Sequence, residues 1–282
     1  MRAEAISGHT APIDAAYMKI VRTAAAPFVL VFLGMIAGRA DPSVREIIAK
    51  TLAHDDARQR ALQAMQYDQT AEIDQLDSQE RVTRHDVMAM VVSPDSHPPM
   101  KITSVSGDNA PPLSDHAAVQ GMADDVEGNK ATFTLHDLAD RFIITHDGDD
   151  VIDGVPVYLL TFSPKPGQPW HDDTEKVVNQ LCGHVWISQR TYNVLRTEAT
   201  LTHPVRVAWF LAKVPTLRFE YRMHDSESGF ANSQERITLE VRALFVGYHE
   251  RQVIRMSGFR RTTGPNAATL RRPAPDSTIQ GG

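Results

Sequence analysis

Few residues of this chain combine in ways that could support catalysis or metal binding. The most suggestive segment is Trp170-His171-Asp172-Asp173, in which a histidine and two carboxylates could bind a metal ion or exchange protons. Neighbouring residues on an extended chain point in opposite directions, so these side chains do not converge on one ligand. We interpret the segment as a loop and predict no catalytic residue in it.

A second acidic segment runs from His146 to Gly154 and contains four aspartates, which is the composition of many calcium-binding loops. An EF-hand loop also needs a terminal bidentate glutamate, and none stands at that position. The segment is therefore interpreted as an acidic hairpin turn. It would join a strand over Phe142–Thr145 to a strand over Val155–Ser163.

Cys182 is the single cysteine, which excludes an internal disulfide and any cysteine-rich metal centre. The sequence also has no H-E-x-x-H helix, no nucleophile elbow and no glycine-rich phosphate loop. We therefore predict a protein that is not an enzyme, with no catalytic residues, no metal site and no cofactor.

Composition limits the remaining function classes. The 282 residues, 42% of them hydrophobic, are enough for one large all-β or α+β domain with a sizeable core. The formal net charge of -6 and the absence of a basic stripe interleaved with aromatics argue against a nucleic-acid binder.

The N-terminus has the order of a secretory signal peptide. Met18 begins a short basic region, residues 24–37 are an apolar segment, and Gly38-Arg39-Ala40 offers small residues for cleavage. The sequence thus predicts export to the periplasm, cleavage near Ala40 and a soluble, monomeric product. It leaves open whether Met1 or Met18 is the start. The predicted organisation is an extension and signal over 1–40, one domain over 41–260 and a disordered tail over 261–282.

The elements that must position any site are mostly strands. From Leu217 to His224, and again from Arg236 to Phe245, apolar and polar residues alternate, which is typical of antiparallel strands with one face in an apolar interior. The apolar face is the candidate ligand-binding surface. Its predicted residues are Leu217, Phe219, Tyr221, Met223, Leu239 and Val241, with Trp209 and Phe210 near the opening.

Helices are predicted to cover this face. Ser43-Val44-Arg45-Glu46 has the form of a capping box, and the apolar stripe that follows predicts an amphipathic helix, either packed on the sheet or acting as a lid. Two further helices are predicted over 113–130 and from Thr134. A hairpin is predicted over 67–92, followed by a short strand over 101–105.

Three predicted strand segments resemble segments of a known protein family. They are Gly183-His184-Val185-Trp186-Ile187, Tyr192-Asn193-Val194-Leu195-Arg196-Thr197-Glu198-Ala199 and Arg251-Gln252-Val253-Ile254-Arg255-Met256-Ser257-Gly258-Phe259. With the export signal and the order of elements, the chain resembles the LolA/LolB-like superfamily of periplasmic lipoprotein carriers, including proteins described as outer-membrane lipoprotein-sorting proteins.

The resemblance implies a mainly β, α+β fold, an unclosed antiparallel β-barrel of about eleven strands with helices over its concave face. It implies that this face holds acyl chains, so the expected partners are lipids or acylated lipoproteins and membrane-associated proteins. The sequence leaves open whether the interior is an open trough or a filled core. It also leaves open a protein-interaction or sensor domain, and a hydrolase with an unrecognised site.

Overall fold

The computed structural model describes residues 42–262, with gaps at 95, 97–98, 109, 116–139, 209–210 and 244–245. The predicted signal peptide, most of the two predicted mid-chain helices, Trp209, Phe210 and the tail from residue 263 lie outside the described residues. Within the described part of the chain, no helix is long and apolar enough to cross a membrane.

The described residues form two helices and eleven strands. The helices are α1 (Pro42–Leu62) and α2 (Asp173–Val178). The strands are β1 (Met65–Leu76), β2 (Val82–Val92), β3 (Met100–Gly107), β4 (Phe142–Ile152), β5 (Val155–Pro164), β6 (Leu181–Ser188), β7 (Val194–Leu201), β8 (Val205–Val207), β9 (Ala212–Met223), β10 (Ser233–Ala243) and β11 (Val246–Arg261).

All strands belong to one antiparallel sheet with the order β3-β2-β1-β11-β10-β9-β7-β6-β5-β4, and β8 pairs with β9 beside this path. Strands β3 and β4 lie at opposite ends of this order, so the sheet does not close on itself. The predicted fold class, an unclosed antiparallel sheet with a helix on one face, is confirmed.

The sheet is apolar on one face, here called the concave face, and charged on the other, the convex face. In β9 the side chains of Leu217, Phe219 and Tyr221 are buried, while Arg218 and Arg222, at the alternate positions, are exposed. Helix α1 covers the concave face with Val44, Ile47, Ile48 and Leu52, which are buried in the same core cluster. The helix and its apolar stripe are confirmed.

The acidic segment after Phe142 differs from its prediction. Strands β4 and β5 continue through it, and the reversal is confined to Asp153 and Gly154, whose φ angles are 50° and 81°. Positive φ at both central residues gives the turn the twist that a two-residue hairpin needs. The aspartates of β4 therefore lie on an edge strand, where water solvates their carboxylates and charge blocks unwanted strand pairing.

The apolar segment from Val205 to Lys213 forms strand β8 and the start of β9, which pair as a hairpin. The turn is closed by the Leu211 N–H, which donates to the Ala208 carbonyl at 3.0 Å. The short helix α2, which the sequence did not predict, lies beside it. Asp172 caps α2 by accepting from the Glu175 N–H, and the Asp173 carboxylate accepts from the Ala208 N–H at 2.6 Å.

Strand β1 joins the N-terminal strands to the rest of the sheet through its pairing with β11. On the convex face β1 carries carboxylates and β11 carries the arginines that pair with them. The ion pairs are Asp68 with Arg260, Glu72 with Arg255 and Asp74 with Arg251. A one-residue slip would turn these charges onto the concave face, so they help to fix the register of this junction.

Candidate ligand-binding face

The concave face divides into two regions that differ in their side chains. The packed half is the core cluster beneath α1, built mainly on β5–β7, β9 and β10. The methionine half lies on β1–β3 and consists of Tyr67, Met88, Met90, Val92 and Met100.

The six candidate residues on β9 and β10 all lie in the packed half. Leu217, Phe219, Tyr221, Met223, Leu239 and Val241 are each 9% exposed or less. The prediction that they share one face is confirmed by the burial pattern of the two strands. A role in ligand binding remains a proposal for these residues. Trp209 and Phe210 lie outside the described residues.

The rim of the packed half is held to α1 by an aromatic and cationic contact. The Lys50 ammonium donates to the Tyr192 hydroxyl at 3.2 Å and lies 5.1 Å from the centre of the same ring. Hydrogen bonds to Glu46 and Tyr192 raise the pKa of Lys50, which keeps it charged. The Tyr192 ring in turn stacks on the Tyr158 ring of β5, and the two ring centres are 6.4 Å apart. This contact lies at the surface, where such interactions are weak.

The C-terminal half of α1 places polar side chains against the sheet. Asp55 and Arg58 form a buried ion pair at 3.1 Å. Burial raises the pKa of Asp55, although the Arg58 charge acts in the opposite direction. Burial and the Arg58 charge both lower the pKa of His54. Burial also raises the pKa of Tyr221 to about 12, so its hydroxyl stays protonated.

Between α1 and the sheet these groups leave a cavity of about 10 Å³, room for about one water molecule. Its lining residues are Thr51, His54, Asp55, Arg58, Tyr192, Asn193, Val194, Tyr221 and Met223. The packed half is thus filled at this end in the described conformation. An acyl chain could reach Tyr221 and Met223 only if α1 moved.

Asp225 ties together two turns next to this cavity. Its buried carboxylate accepts hydrogen bonds from Thr191 at 2.6 Å, Ser188 at 3.1 Å, Asn193 at 3.2 Å and Arg190 at 3.1 Å. Burial raises the pKa of Asp225, but these hydrogen bonds outweigh it and hold the pKa below its usual value. The cluster fixes the β6–β7 turn against the segment that follows β9.

The methionine half is the region that the sequence analysis missed. Its three methionines are 2% to 9% exposed, and Tyr67 continues into an aromatic group with Phe259 and Phe230. The ring centres of Tyr67 and Phe259 are 5.4 Å apart. Methionine is unbranched and fills irregular space, which is why it is common on surfaces that accept varied ligands.

A strip of polar side chains lies between the two halves on the concave face. Glu235 on β10 and Glu250 and Gln252 on β11 are all buried, and the Gln252 amide donates to the Glu250 carboxylate at 2.6 Å. The neighbours of this strip across the β10–β11 pairing include Ile237 and Leu239. Buried polar groups need hydrogen-bond partners, so the strip restrains side-chain positions where the halves meet.

The described residues contain no group of three or more His, Cys, Asp or Glu side chains that could hold a metal ion. On the convex face, Thr161 hydrogen bonds both to Asp147 and to His184 Nδ1, the latter at 2.9 Å. The hydroxyl lies between the acid and the histidine, whereas a catalytic triad needs the histidine between the acid and the hydroxyl. This cluster therefore gives no support to a triad hydrolase.

No model of a known protein family matches the chain, and no curated protein matches its sequence. Several solved structures are similar to it, including the following three. A DUF1329 family protein from Desulfovibrio piger is 14% identical, with 80% of this chain and 95% of that chain covered and a TM-score of 0.32.

The second is a proposed outer membrane lipoprotein-sorting protein domain from Vibrio parahaemolyticus, 12% identical, with 79% and 99% of the two chains covered and a TM-score of 0.33. The third is a LolA superfamily protein from Nitrosomonas europaea, 13% identical, with coverage of 78% and 95% and a TM-score of 0.28. These two are the kinds of protein that the sequence phrases resemble. At such TM-scores the likeness says nothing about ligand or partner.

Proposed function

We propose that this protein is a non-catalytic carrier or binder of lipids or lipidated proteins, and that its concave face holds the ligand. The observation that carries the proposal is the one-sided sheet. Strands β9 and β10 present mostly apolar side chains to the interior and charged ones to solvent, and within the described residues a single long helix covers that interior. Such a face can bind an acyl chain without any specific polar motif.

The energetics of the proposal rest on apolar burial. Each methylene group that moves from water into an apolar site contributes about 0.8 kcal/mol, so a long acyl chain binds firmly. Because the cavity beside Tyr221 has room for only about one water molecule, binding in the packed half would need α1 to move. The weak rim contact between Lys50 and Tyr192 is compatible with that movement.

The proposed location is the periplasm. The support is the order of basic, apolar and small residues from Met18 to Ala40, which is typical of a cleaved secretory signal. N-terminal sequencing of the mature protein should find a terminus near Asp41. Membrane-bound material that keeps Met1 or Met18 as its terminus would contradict the export proposal.

The ligand proposal is tested with protein purified from the periplasm under native conditions. Mass spectrometry should find co-purified lipid, and a fluorescent fatty-acid probe should bind and be displaced by unlabelled fatty acid. Replacing Phe219 on the concave face should weaken probe binding, whereas Glu220→Gln on the convex face should not change it. Absence of lipid together with absence of probe binding would contradict the proposal.

A second candidate function is a periplasmic protein-interaction or sensor domain. The small size of the cavity beneath α1 favours it, because a partner protein can bind a surface without entering the interior. Recovery of one stoichiometric protein partner from a lipid-free sample would support this candidate over a lipid carrier.

A further inference from the structure

Three cations form a row across β8, β9 and β10 near the β8–β9 turn. Lys213 on β9 pairs with Arg206 on β8 on one side and with Arg242 on β10 on the other. Directly paired residues of antiparallel strands point to the same face, so the three side chains share one surface. All three are exposed.

This row differs from the rest of the convex face, where charges of opposite sign are usually paired. Like charges directly opposite each other on paired strands are destabilising. Arg242 has a carboxylate partner, Glu240, at 2.7 Å. Among the described residues, neither Arg206 nor Lys213 forms an ion pair with a carboxylate. The row therefore keeps an unneutralised positive charge that an anionic partner would stabilise.

Exposed apolar side chains lie beside the row. Leu211, at the end of the β8–β9 turn, is 50% exposed, and Trp170 is 53% exposed. The hydrogen bond between Ala208 and Asp173 holds the segment of Trp170 next to this turn. The Lys176 ammonium lies 4.8 Å from the centre of the Trp170 ring, which adds a fourth cation to the same region.

The acidic residues of the region are already engaged. Asp172 caps α2, Asp173 accepts from the Ala208 N–H, and Glu175 pairs with Arg141 at 3.0 Å. These carboxylates accept hydrogen bonds or form ion pairs with other groups, and among the described residues none of the three forms an ion pair with the cationic row. The positive charge of the row is therefore directed outward.

We call this surface the basic tip; it consists of Arg206, Leu211, Lys213 and Arg242, with Trp170 beside it. We propose that the basic tip docks on a membrane rich in anionic phospholipid. The charges match the phosphate groups of such a membrane, and each cation near an anionic surface adds to binding. Tryptophan and leucine beside cations suit the boundary between headgroups and acyl chains. The basic tip is separate from the concave face, so this inference goes beyond the proposed ligand binding.

The test is flotation of the full-length mature protein with vesicles of phosphatidylglycerol and phosphatidylcholine in equal parts. We expect binding that falls as salt is raised, and little binding to pure phosphatidylcholine. The double variant Arg206→Gln with Lys213→Gln should bind the anionic vesicles about 25-fold more weakly, or about 5-fold for each charge removed. Leu211→Gln should also weaken binding, because it removes an apolar contact.

A matched control removes two exposed cations elsewhere, Arg60→Gln with Lys101→Gln. Lys101 is on β3, at the far edge of the sheet from β8. This variant has the same net charge as the first and should bind vesicles like the unaltered protein. Equal losses in both variants would overturn the proposal, because they would show a general charge effect. So would unchanged vesicle binding in the Arg206 and Lys213 variant, or binding of an acidic protein partner without vesicles.

Discussion

The two halves of the concave face are built from different side chains, although one sheet carries both. In the packed half, branched and aromatic residues fill the space beneath α1, and Met223 is the one methionine among its buried described residues. In the methionine half, three of the five buried residues are methionine. Branched side chains have few rotamers and specify one packing, whereas methionine adapts to neighbours of different shape. The packed half should therefore provide stability and the methionine half adaptability.

The largest expected effect is in the packed half. Phe219 is 3% exposed, so Phe219→Ala should lower the free energy of unfolding by about 3–5 kcal/mol if its surroundings are close-packed. Chemical denaturation measures this loss. Glu220→Ala on the convex face should change the free energy of unfolding by less than about 1 kcal/mol, because its ion pair with Arg236 is exposed. A small loss for Phe219→Ala would instead indicate a loosely filled, ligand-lined interior.

The next effect concerns the Asp225 hydrogen bonds, which fix the β6–β7 turn beside the packed half. Asp225→Asn should lower the free energy of unfolding by about 1.5–3 kcal/mol near neutral pH, because hydrogen bonds to a charged group are lost. The folded-state pKa of Asp225 is below its unfolded value of about 3.9. The stabilisation is therefore complete above that unfolded value and is lost as the pH falls through the folded pKa.

Denaturation curves measured across acidic pH should thus show the difference between the unaltered protein and Asp225→Asn shrinking below pH of about 4. Glu227→Gln is the control, since Glu227 pairs with the same Arg190 but is largely exposed. A constant difference between Asp225→Asn and the unaltered protein at every pH would contradict the assignment of the effect to the Asp225 charge.

The smallest effect on stability is expected in the methionine half. Met88→Leu and Met90→Leu nearly conserve volume and should each change the free energy of unfolding by less than about 1.5 kcal/mol. If this region accepts varied apolar chains, the double variant should bind a narrower range of fatty-acid probes. The matched variant in the packed half, Leu239→Met, should leave that range unchanged. If the double variant and Leu239→Met bind the same range of fatty-acid probes, the two halves do not differ in adaptability.

Strand parity was the part of the fold that could be predicted best. Alternation from Leu217 to Met223 places these residues on one face, because residues two apart on a strand share a face whatever the rest of the chain does. Parity did not indicate whether this face is an open trough or a filled core, because that depends on how closely α1 packs on the sheet. The continuation of β4 through its aspartates could not, because an edge strand in water does not need apolar alternation.

The methionine half could not be predicted from the sequence, for a different reason. From Val87 to Val92 the sequence is apolar at every position, so parity does not distinguish the face that packs from the face that does not. Two other features depend on strand order: the pairing of β1 with β11, and the row of Arg206, Lys213 and Arg242. Strand order is set by contacts between distant parts of the chain, so a local sequence pattern does not predict it.

The pairing of β1 with β11 has a consequence for the order of folding. Asp74 and Arg251 are 177 residues apart in the chain, and Gln66 and Arg260 are 194 apart. Closing so long a loop is entropically costly, and proteins dominated by such distant pairings fold slowly. During synthesis the first three strands are complete long before their partner emerges from the ribosome. We expect the hairpin of β1 and β2 to keep one edge unpaired until β11 is synthesised, which makes the joining of the methionine half to the rest of the sheet a late step of folding.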